Sequence, residues 1–298
     1  LRTGFGDGGS SAICYTTPVP ADATCLDLFP SGSGLCAATP PPMVPTSLLV
    51  RRLVLVTFAV SGFVAFALEI IWFRMLVILF RPTTYAFTVM LGTVLAGIAI
   101  GSWLSTPVTS RRRSNLVGVL AGLELLLALA AVLSMWLIGR AGDVFAWAGP
   151  LFKDTSLAYF GPMAVTSIAA IFPAALLMGM AFPVGISLWV SDAGDEHAGR
   201  RIGAIYAVNV AGAVAGSLLT GFFLLPAIGG RESLLLTSAL ALGMGLLLLT
   251  QVSRRLIAVA VGTVAVGAFA LVAWKTPDPV VELLRSRSAA AGHAGIVP

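Results

Sequence analysis

Residues that usually carry chemistry are scarce in this chain. Only 10% of the 298 residues are charged, and the sequence contains 2 histidines and 3 cysteines. His197 and His293 provide no catalytic triad, zinc-protease motif or haem pair. Cys14, Cys25 and Cys36 have no C-x-x-C spacing, so they indicate neither a zinc site nor haem attachment. We therefore predict no catalytic residues, no metal and no cofactor, and we do not expect an enzyme.

Residues 1–50 lack the apolar clusters that a folded domain needs. They are rich in Gly, Pro, Ser and Thr and show no helical period, which predicts an irregular extension. The three cysteines in this extension are spaced either by coincidence or for one disulfide, which requires an oxidising compartment. The remaining chain divides into an apolar region, residues 51–275, and a polar tail, residues 276–298.

Apolar residues dominate the region that follows. Hydrophobic residues make up 58% of the chain, and its mean hydropathy is +0.97. A soluble core of this size cannot bury so much apolar surface, and stretches of about 20 uncharged residues match the thickness of a bilayer. We predict an all-α, polytopic membrane bundle of about seven transmembrane helices, since backbone polar groups in lipid pair within helices. The predicted spans are residues 53–80, 84–105, 115–138, 158–190, 203–228, 232–251 and 255–274.

Basic residues occur in short clusters between the predicted spans. The formal net charge is +5 and the isoelectric point is near 9.6, but the clusters follow the pattern of orientation signals rather than of a nucleic-acid site. Four clusters fall on the side of the N-terminus: Arg51-Arg52, Arg111-Arg112-Arg113, Arg200-Arg201 and Arg254-Arg255. We predict a cell (inner) membrane protein with a cytoplasmic N-terminus and no nucleic-acid partner.

Two ionisable residues lie in or near the first predicted span. Glu69 cannot face lipid without a large cost, so it faces the bundle interior or a cavity, or is protonated. Arg74 lies near the outer interface, and its separation from Glu69 of about 140° around the helix makes the two poor partners. Two interpretations of Glu69 remain open: an interhelical hydrogen-bonded lock, or a cation-binding or proton-relay role.

Two more polar residues lie at similar depths in other spans. Glu124 in the third span and Asn209 in the fifth lie roughly 13 Å and 9 Å from the same end of their helices. Contact between them is therefore possible, and a hydrogen bond of this kind stabilises packing by about 0.6 to 2 kcal/mol. We treat Glu69, Arg74, Glu124 and Asn209 as a candidate intramembrane polar site.

Small residues recur at helix-packing spacing. Gly97 and Gly101 in the second span, and Gly212 and Gly216 in the fifth, form G-x-x-x-G stripes that predict close helix contacts. They lie inside apolar spans without a strand-turn-helix context, so they do not indicate a nucleotide site. In the fourth span, three prolines predict a kinked or broken helix: Pro162, Pro173 and Pro183.

Several segments resemble the membrane domain of spermidine synthase-like proteins over residues 53–250. The segments are Ser61-Gly62, Leu68 to Arg74, Thr84 to Phe87, Gly97 to Ser102, Phe172-Pro173, Met178 to Pro183, and Gly203 to Asn209 with Gly212, Gly216, Gly221 and Pro226. The resemblance implies an architecture like part of a major-facilitator transporter. In that family an aminopropyltransferase domain often follows, but the residues after Trp274 contain no corresponding Gly-rich or acidic motif. Ser105 and Thr106 also stand where the transporter pattern has an Asp-Arg pair.

The sequence leaves two functions open. In the first, the chain is a membrane module that binds or moves a small cationic solute such as a polyamine, with Glu69 and Glu124 in a polar cavity. In the second, it is a non-catalytic accessory subunit that packs against other membrane proteins through its glycine stripes. The predicted partners are the lipid bilayer, other membrane proteins and a small cationic solute. A third hypothesis is that the sequence is a fragment of a longer enzyme.

Overall fold

The structure, a computed structural model, describes residues 48–80, 84–111, 115–153, 158, 160–190, 195–252, 254–276 and 281. These residues contain eight α-helices. The helices are α1 (Leu48–Phe80), α2 (Thr84–Arg111), α3 (Leu116–Gly139), α4 (Ala141–Phe152), α5 (Phe160–Val190), α6 (Asp195–Leu219), α7 (Leu225–Leu249) and α8 (Arg255–Lys275). The predicted all-α fold is confirmed. The three cysteines, His293, residues 1–47 and nearly all of the predicted tail lie outside the described residues.

The described helices include six stretches that are long and apolar enough to cross a membrane. Five of them are single helices: α1, α2, α3, α5 and α8. The sixth, Ala198–Leu249, has 52 residues and contains both α6 and α7. A straight helix of that length would measure roughly 78 Å, far more than the roughly 30 Å of hydrocarbon in a bilayer.

A turn at Gly229 divides this long stretch into two crossings. A π-helical turn, Thr220–Leu224, ends α6, and Gly229 within α7 has φ 82° and ψ 178°, a backbone conformation suited to glycine. Gly230 lies against Met75 near the end of α1, whereas Gly245 lies against Ala121 near the start of α3. Ser61 and Trp72 of α1 contact Glu124 and Ser134 of α3, so α1 and α3 run in the same direction. Gly212 and Gly216 of α6 lie against Ala59 and Phe63, so α6 also runs parallel to α1. Helix α7 therefore returns antiparallel to α6, which gives the seven predicted spans.

Helix α4 is an element that the sequence did not predict. It has 12 residues, so it is too short to span the hydrocarbon. It also contains Asp143 and Pro150. Arg140 and Asp143 at its start form an exposed ion pair at 3.8 Å. Helix α4 packs mainly against α5.

The proline-rich helix α5 is unbroken. It runs from Phe160 to Val190 with Pro173 and Pro183 in its interior and Pro162 in its first turn, where the missing N–H costs no helical hydrogen bond. The Ser187 hydroxyl donates to the Pro183 carbonyl at 2.8 Å. The helix is therefore not broken at the prolines, and the kinked alternative stays a prediction.

Helix α3 is central to the bundle. It packs against α1, α5, α7 and α8, and 56% of its span is buried, compared with 11% for α8. Helices α2 and α6 form the flanks, with α2 packed against α5 and α6 against α1. A polar side chain on the buried side of α3 therefore faces protein, whereas Leu126 and Leu133 on the same helix are exposed.

Three helix ends lie together, and two of them carry arginines. The Arg51 guanidinium at the start of α1 lies over the Trp189 ring at 5.3 Å, and the Trp189 indole donates to the Arg201 carbonyl at 2.9 Å. These contacts join the start of α1, the end of α5 and the start of α6. The end of α7 joins the same side through the contact of Gly245 with the start of α3. We refer to this side as the arginine end.

Candidate functional site

Glu124 is the most enclosed ionisable side chain in the described spans. It lies on α3, one third of the way along the helix, with only 1% of its surface exposed. The Ser61 hydroxyl of α1 donates a hydrogen bond to its carboxyl group. The second carboxyl oxygen, Oε1, is buried without a hydrogen-bond partner among the described residues. Such an oxygen is costly in an apolar interior unless it binds a proton or a cation.

Apolar side chains enclose the Glu124 carboxyl on α3 itself. Leu120, Ala121, Leu125 and Ala128 occupy the neighbouring turns, and all of them are buried. Glu124 shares the buried side of α3 with these residues. Glu124 therefore takes a position where Leu would satisfy packing, and the carboxyl group needs a different explanation.

A second polar contact joins α1 and α3 further from the arginine end. The Trp72 indole Nε1–H donates to the Ser134 hydroxyl at 2.8 Å, and that hydroxyl donates to the Ala131 carbonyl at 2.7 Å. Trp72 and Ser134 are completely buried. Every hydrogen of this contact has an acceptor, so it is a structural lock, whereas Glu124 keeps a free acceptor.

Three further hydroxyl oxygens are buried without hydrogen-bond partners among the described residues. Ser167 lies on α5 and Ser238 on α7, the two main neighbours of α3, and Thr220 opens the π-helical turn. Ser238 and Thr220 are each nine residues from Gly229, so they lie at similar depths on the two arms of the hairpin. Unsatisfied polar atoms thus lie on several helices besides α3, although buried polar groups are normally paired.

Glu69 and Arg74 do not join this site. Glu69 is half-buried on α1, and Arg74 is exposed. Glu69 lies eight residues beyond Ser61, or about 12 Å along the axis, so it does not form a carboxyl pair with Glu124. Neither Glu69 nor Arg74 takes part in the ion pairs of the described residues.

Asn209 bonds to α1 rather than to Glu124. Its Nδ2 donates to the Phe58 carbonyl at 3.0 Å, and its backbone lies directly against Gly62. Glu124 of α3 accepts its hydrogen bond from Ser61, which also lies on α1. Two of the four candidate residues, Glu124 and Asn209, are thus held by neighbouring turns of α1, and the structure gives each a different partner.

The four stripe glycines form close contacts inside the chain. Gly97 and Gly101 of α2 lie against Ala175 and Leu176 of α5. Gly212 and Gly216 of α6 lie against the carbonyls of Ala59 and Phe63 in α1. A methyl group at any of these four positions would overlap the neighbouring helix. The stripes thus face other helices of the same chain, so they do not provide free surfaces for another protein.

Ser61 and Ser134 are the site residues that sequence reasoning missed. Both residues carry hydroxyl groups within apolar spans. Ser61 bonds to the Glu124 carboxyl group and Ser134 accepts from the Trp72 indole N–H, two buried polar groups that each needed a partner. That need was the available signal. Among the described residues, no three His, Cys, Asp or Glu side chains are placed to hold a metal ion.

Comparisons with protein-family models, with curated proteins and with solved structures find no match. The chain is therefore classified by its own fold as a multi-pass α-helical membrane protein that contacts the lipid bilayer.

Proposed function

We propose that this chain is a membrane module that binds or moves a small cationic solute such as a polyamine, with Glu124 as the group that compensates the solute's charge. The observation that carries the proposal is the fully buried carboxyl group whose Oε1 has no partner among the described residues. Ionisable groups inside transmembrane bundles mark ion, proton and substrate paths.

The chemistry of the site fits a primary ammonium group. An ammonium has three donors and no acceptor, and the buried Oε1 is an acceptor without a partner among the described residues. Ser61 fixes the carboxyl group by donating to it, so the group is positioned in advance. Because Glu124 is enclosed, a solute reaches it only when α3 separates from one of its neighbours.

The family assignment is part of this proposal. The segments around Glu69, Gly101, Phe182 and Asn209 resemble the membrane domain of spermidine synthase-like proteins, which supports a polyamine as the cation. No transferase chemistry is assigned to this chain. We further propose that it lies in the cell (inner) membrane with the arginine end in the cytoplasm, following the positive-inside rule. Reporter fusions at residues 50 and 253 are expected to be cytoplasmic, and an external signal at either would overturn the orientation.

Uptake into proteoliposomes tests the proposed function. Labelled spermidine is supplied outside, and Glu124→Gln is expected to reduce uptake at least tenfold, because the amide keeps the Ser61 contact but removes the charge. The matched control is Glu232→Gln, which removes an exposed carboxylate paired with Arg231 at the other end of the bundle. Glu69→Gln is tested beside it, since a second acidic residue on the path would give a similar loss. Full uptake by folded Glu124→Gln would contradict the proposal.

A second function rests on helix α8, as an accessory subunit of a larger membrane complex. Helix α8 is the least buried of the described spans, and Leu256 and Trp274 are each 88% exposed. A partner helix on this surface would bury them. Purification in mild detergent decides between the two functions, since a stoichiometric membrane partner supports the subunit and an isolated chain stabilised by spermidine supports solute binding.

A further inference from the structure

An apolar groove of about 620 Å³ lies between the end of α7 and the first half of α8. Leu246 and Leu249 form the α7 wall, and Val259 and Val266 contribute to the α8 wall. Gly262 lies at the point where α8 approaches Leu246 of α7. Here α8 stays close to α7 without closing the space between them.

The α8 wall is a single stripe of the helix. Arg255, Ala258, Gly262 and Val266 follow one another at intervals of three or four residues, so they lie on the same face. From Arg255 to Val266 the stripe is about 17 Å long. One leaflet of a bilayer contains about 15 Å of hydrocarbon, half of the full thickness. The groove therefore extends across one leaflet, with Arg255 at the membrane surface.

The walls of the groove offer no free hydroxyl donors. The Thr250 hydroxyl donates to the Leu247 carbonyl at 2.7 Å, and the Thr263 hydroxyl donates to the Val259 carbonyl at 2.9 Å. The space between the helices is thus suited to a hydrocarbon chain.

The charge at the mouth of the groove indicates the head group. Arg255 is exposed and lines the groove, Arg254 precedes it, and neither is in an ion pair with a described carboxylate. A guanidinium group binds phosphate through paired N–H donors, and basic sites between transmembrane helices bind anionic head groups. We propose that the groove between α7 and α8 binds one acyl chain of an anionic phospholipid, with its phosphate at Arg255.

Native mass spectrometry of the purified full chain tests this site. Phosphatidylglycerol and phosphatidylcholine with identical acyl chains are titrated separately, and the wild type is expected to retain one phosphatidylglycerol in preference to phosphatidylcholine. Arg255→Gln is expected to weaken phosphatidylglycerol retention about fivefold, the effect of losing one basic contact to an anionic lipid. The matched control, Arg254→Gln, removes the same charge from a residue that does not line the groove, and its retention is expected to stay close to that of the wild type.

A steric pair separates the groove from the general lipid surface. Ala258→Trp fills the groove and is expected to abolish retention of both lipids, whereas Leu256→Trp places the same indole on an exposed position outside it and leaves retention unchanged. Equal retention by Arg255→Gln and Arg254→Gln would overturn the head-group assignment even if Ala258→Trp fails to fold. A polypeptide seated in the groove instead of lipid, or equal binding of the two lipids, would also overturn the proposal.

Discussion

The Asn209 amide donates to the Phe58 carbonyl at 3.0 Å and joins α6 to α1 across 151 positions of the sequence. Asn209→Leu removes this interhelical bond while keeping a side chain of similar size. We expect the free energy of unfolding in detergent to fall by about 0.6 to 2 kcal/mol, the usual range for such a bond. Ser217→Ala is the control, because the Ser217 hydroxyl bonds only within α6, to the Val214 carbonyl. An unchanged unfolding midpoint for Asn209→Leu would show that the bond is not stabilising.

Gly212 lies where α6 and α1 approach most closely. A Cβ on Gly212 would overlap the Ala59 carbonyl, which is backbone and cannot move by itself. Gly212→Ala is therefore expected to destabilise the protein by about 1 to 3 kcal/mol through overpacking. Gly243→Ala introduces the same methyl group into open space on α7 and serves as its control. Equal thermal midpoints for the two variants would refute the close contact.

The Trp72 and Ser134 side chains form a buried bond that a double-mutant cycle can isolate. Trp72→Phe and Ser134→Ala each remove one partner. Each mutation is expected to destabilise the protein less when the other is already present than it does in the wild type. We expect a coupling energy of about 0.6 kcal/mol, the average for hydrogen bonds between membrane helices. Reversible unfolding of the four proteins measures it. Strictly additive losses would mean that the indole and the hydroxyl do not interact.

Glu124 is expected to contribute little to stability despite its central position. Glu124→Leu replaces a buried carboxyl group that has one unpaired oxygen with an apolar side chain. Removing that unsatisfied oxygen is expected to offset the lost Ser61 bond, since a buried unpaired polar group costs about 1 to 3 kcal/mol. We therefore expect an unfolding midpoint equal to or higher than that of the wild type, together with lost spermidine uptake. A strongly destabilised Glu124→Leu variant would instead identify the carboxyl group as part of the structural lock between α1 and α3.

The Gly229 turn depends on a conformation that other residues adopt poorly. Gly229 has φ 82° and ψ 178°, and the backbone of a residue with a Cβ is strained in this conformation regardless of the space around it. Gly229→Ala is expected to cost about 1 to 3 kcal/mol. The neighbouring Ala227→Gly, in ordinary helical conformation, is expected to change stability by no more than about 1 kcal/mol. Comparable midpoints for the two variants would contradict the turn.

The apolar spans were predictable because a helix that crosses lipid must be long and almost free of charge, and both properties are visible in the hydropathy of the sequence. Helix α4 was not, since a 12-residue segment with Asp143 carries no such signal. The extension of α2 to Arg111 and the start of α6 at Asp195 were also missed, because polar residues beyond the hydrocarbon have no required structure. The partners of Glu124 and Asn209 could not be predicted. The sequence of a helix that is apolar all round does not reveal which of its faces turns inward. That face decides whether Glu124 contacts Ser61 or another residue.

The hairpin around Gly229 has a consequence for how the chain is threaded through the bilayer. Because α6 and α7 enter and return as a pair, they add no net crossing. Loss of this pair would leave α8 pointing the same way, whereas loss of any other single span would reverse it. The side of the membrane on which the chain emerges after α8 is therefore set by the five helices that cross alone.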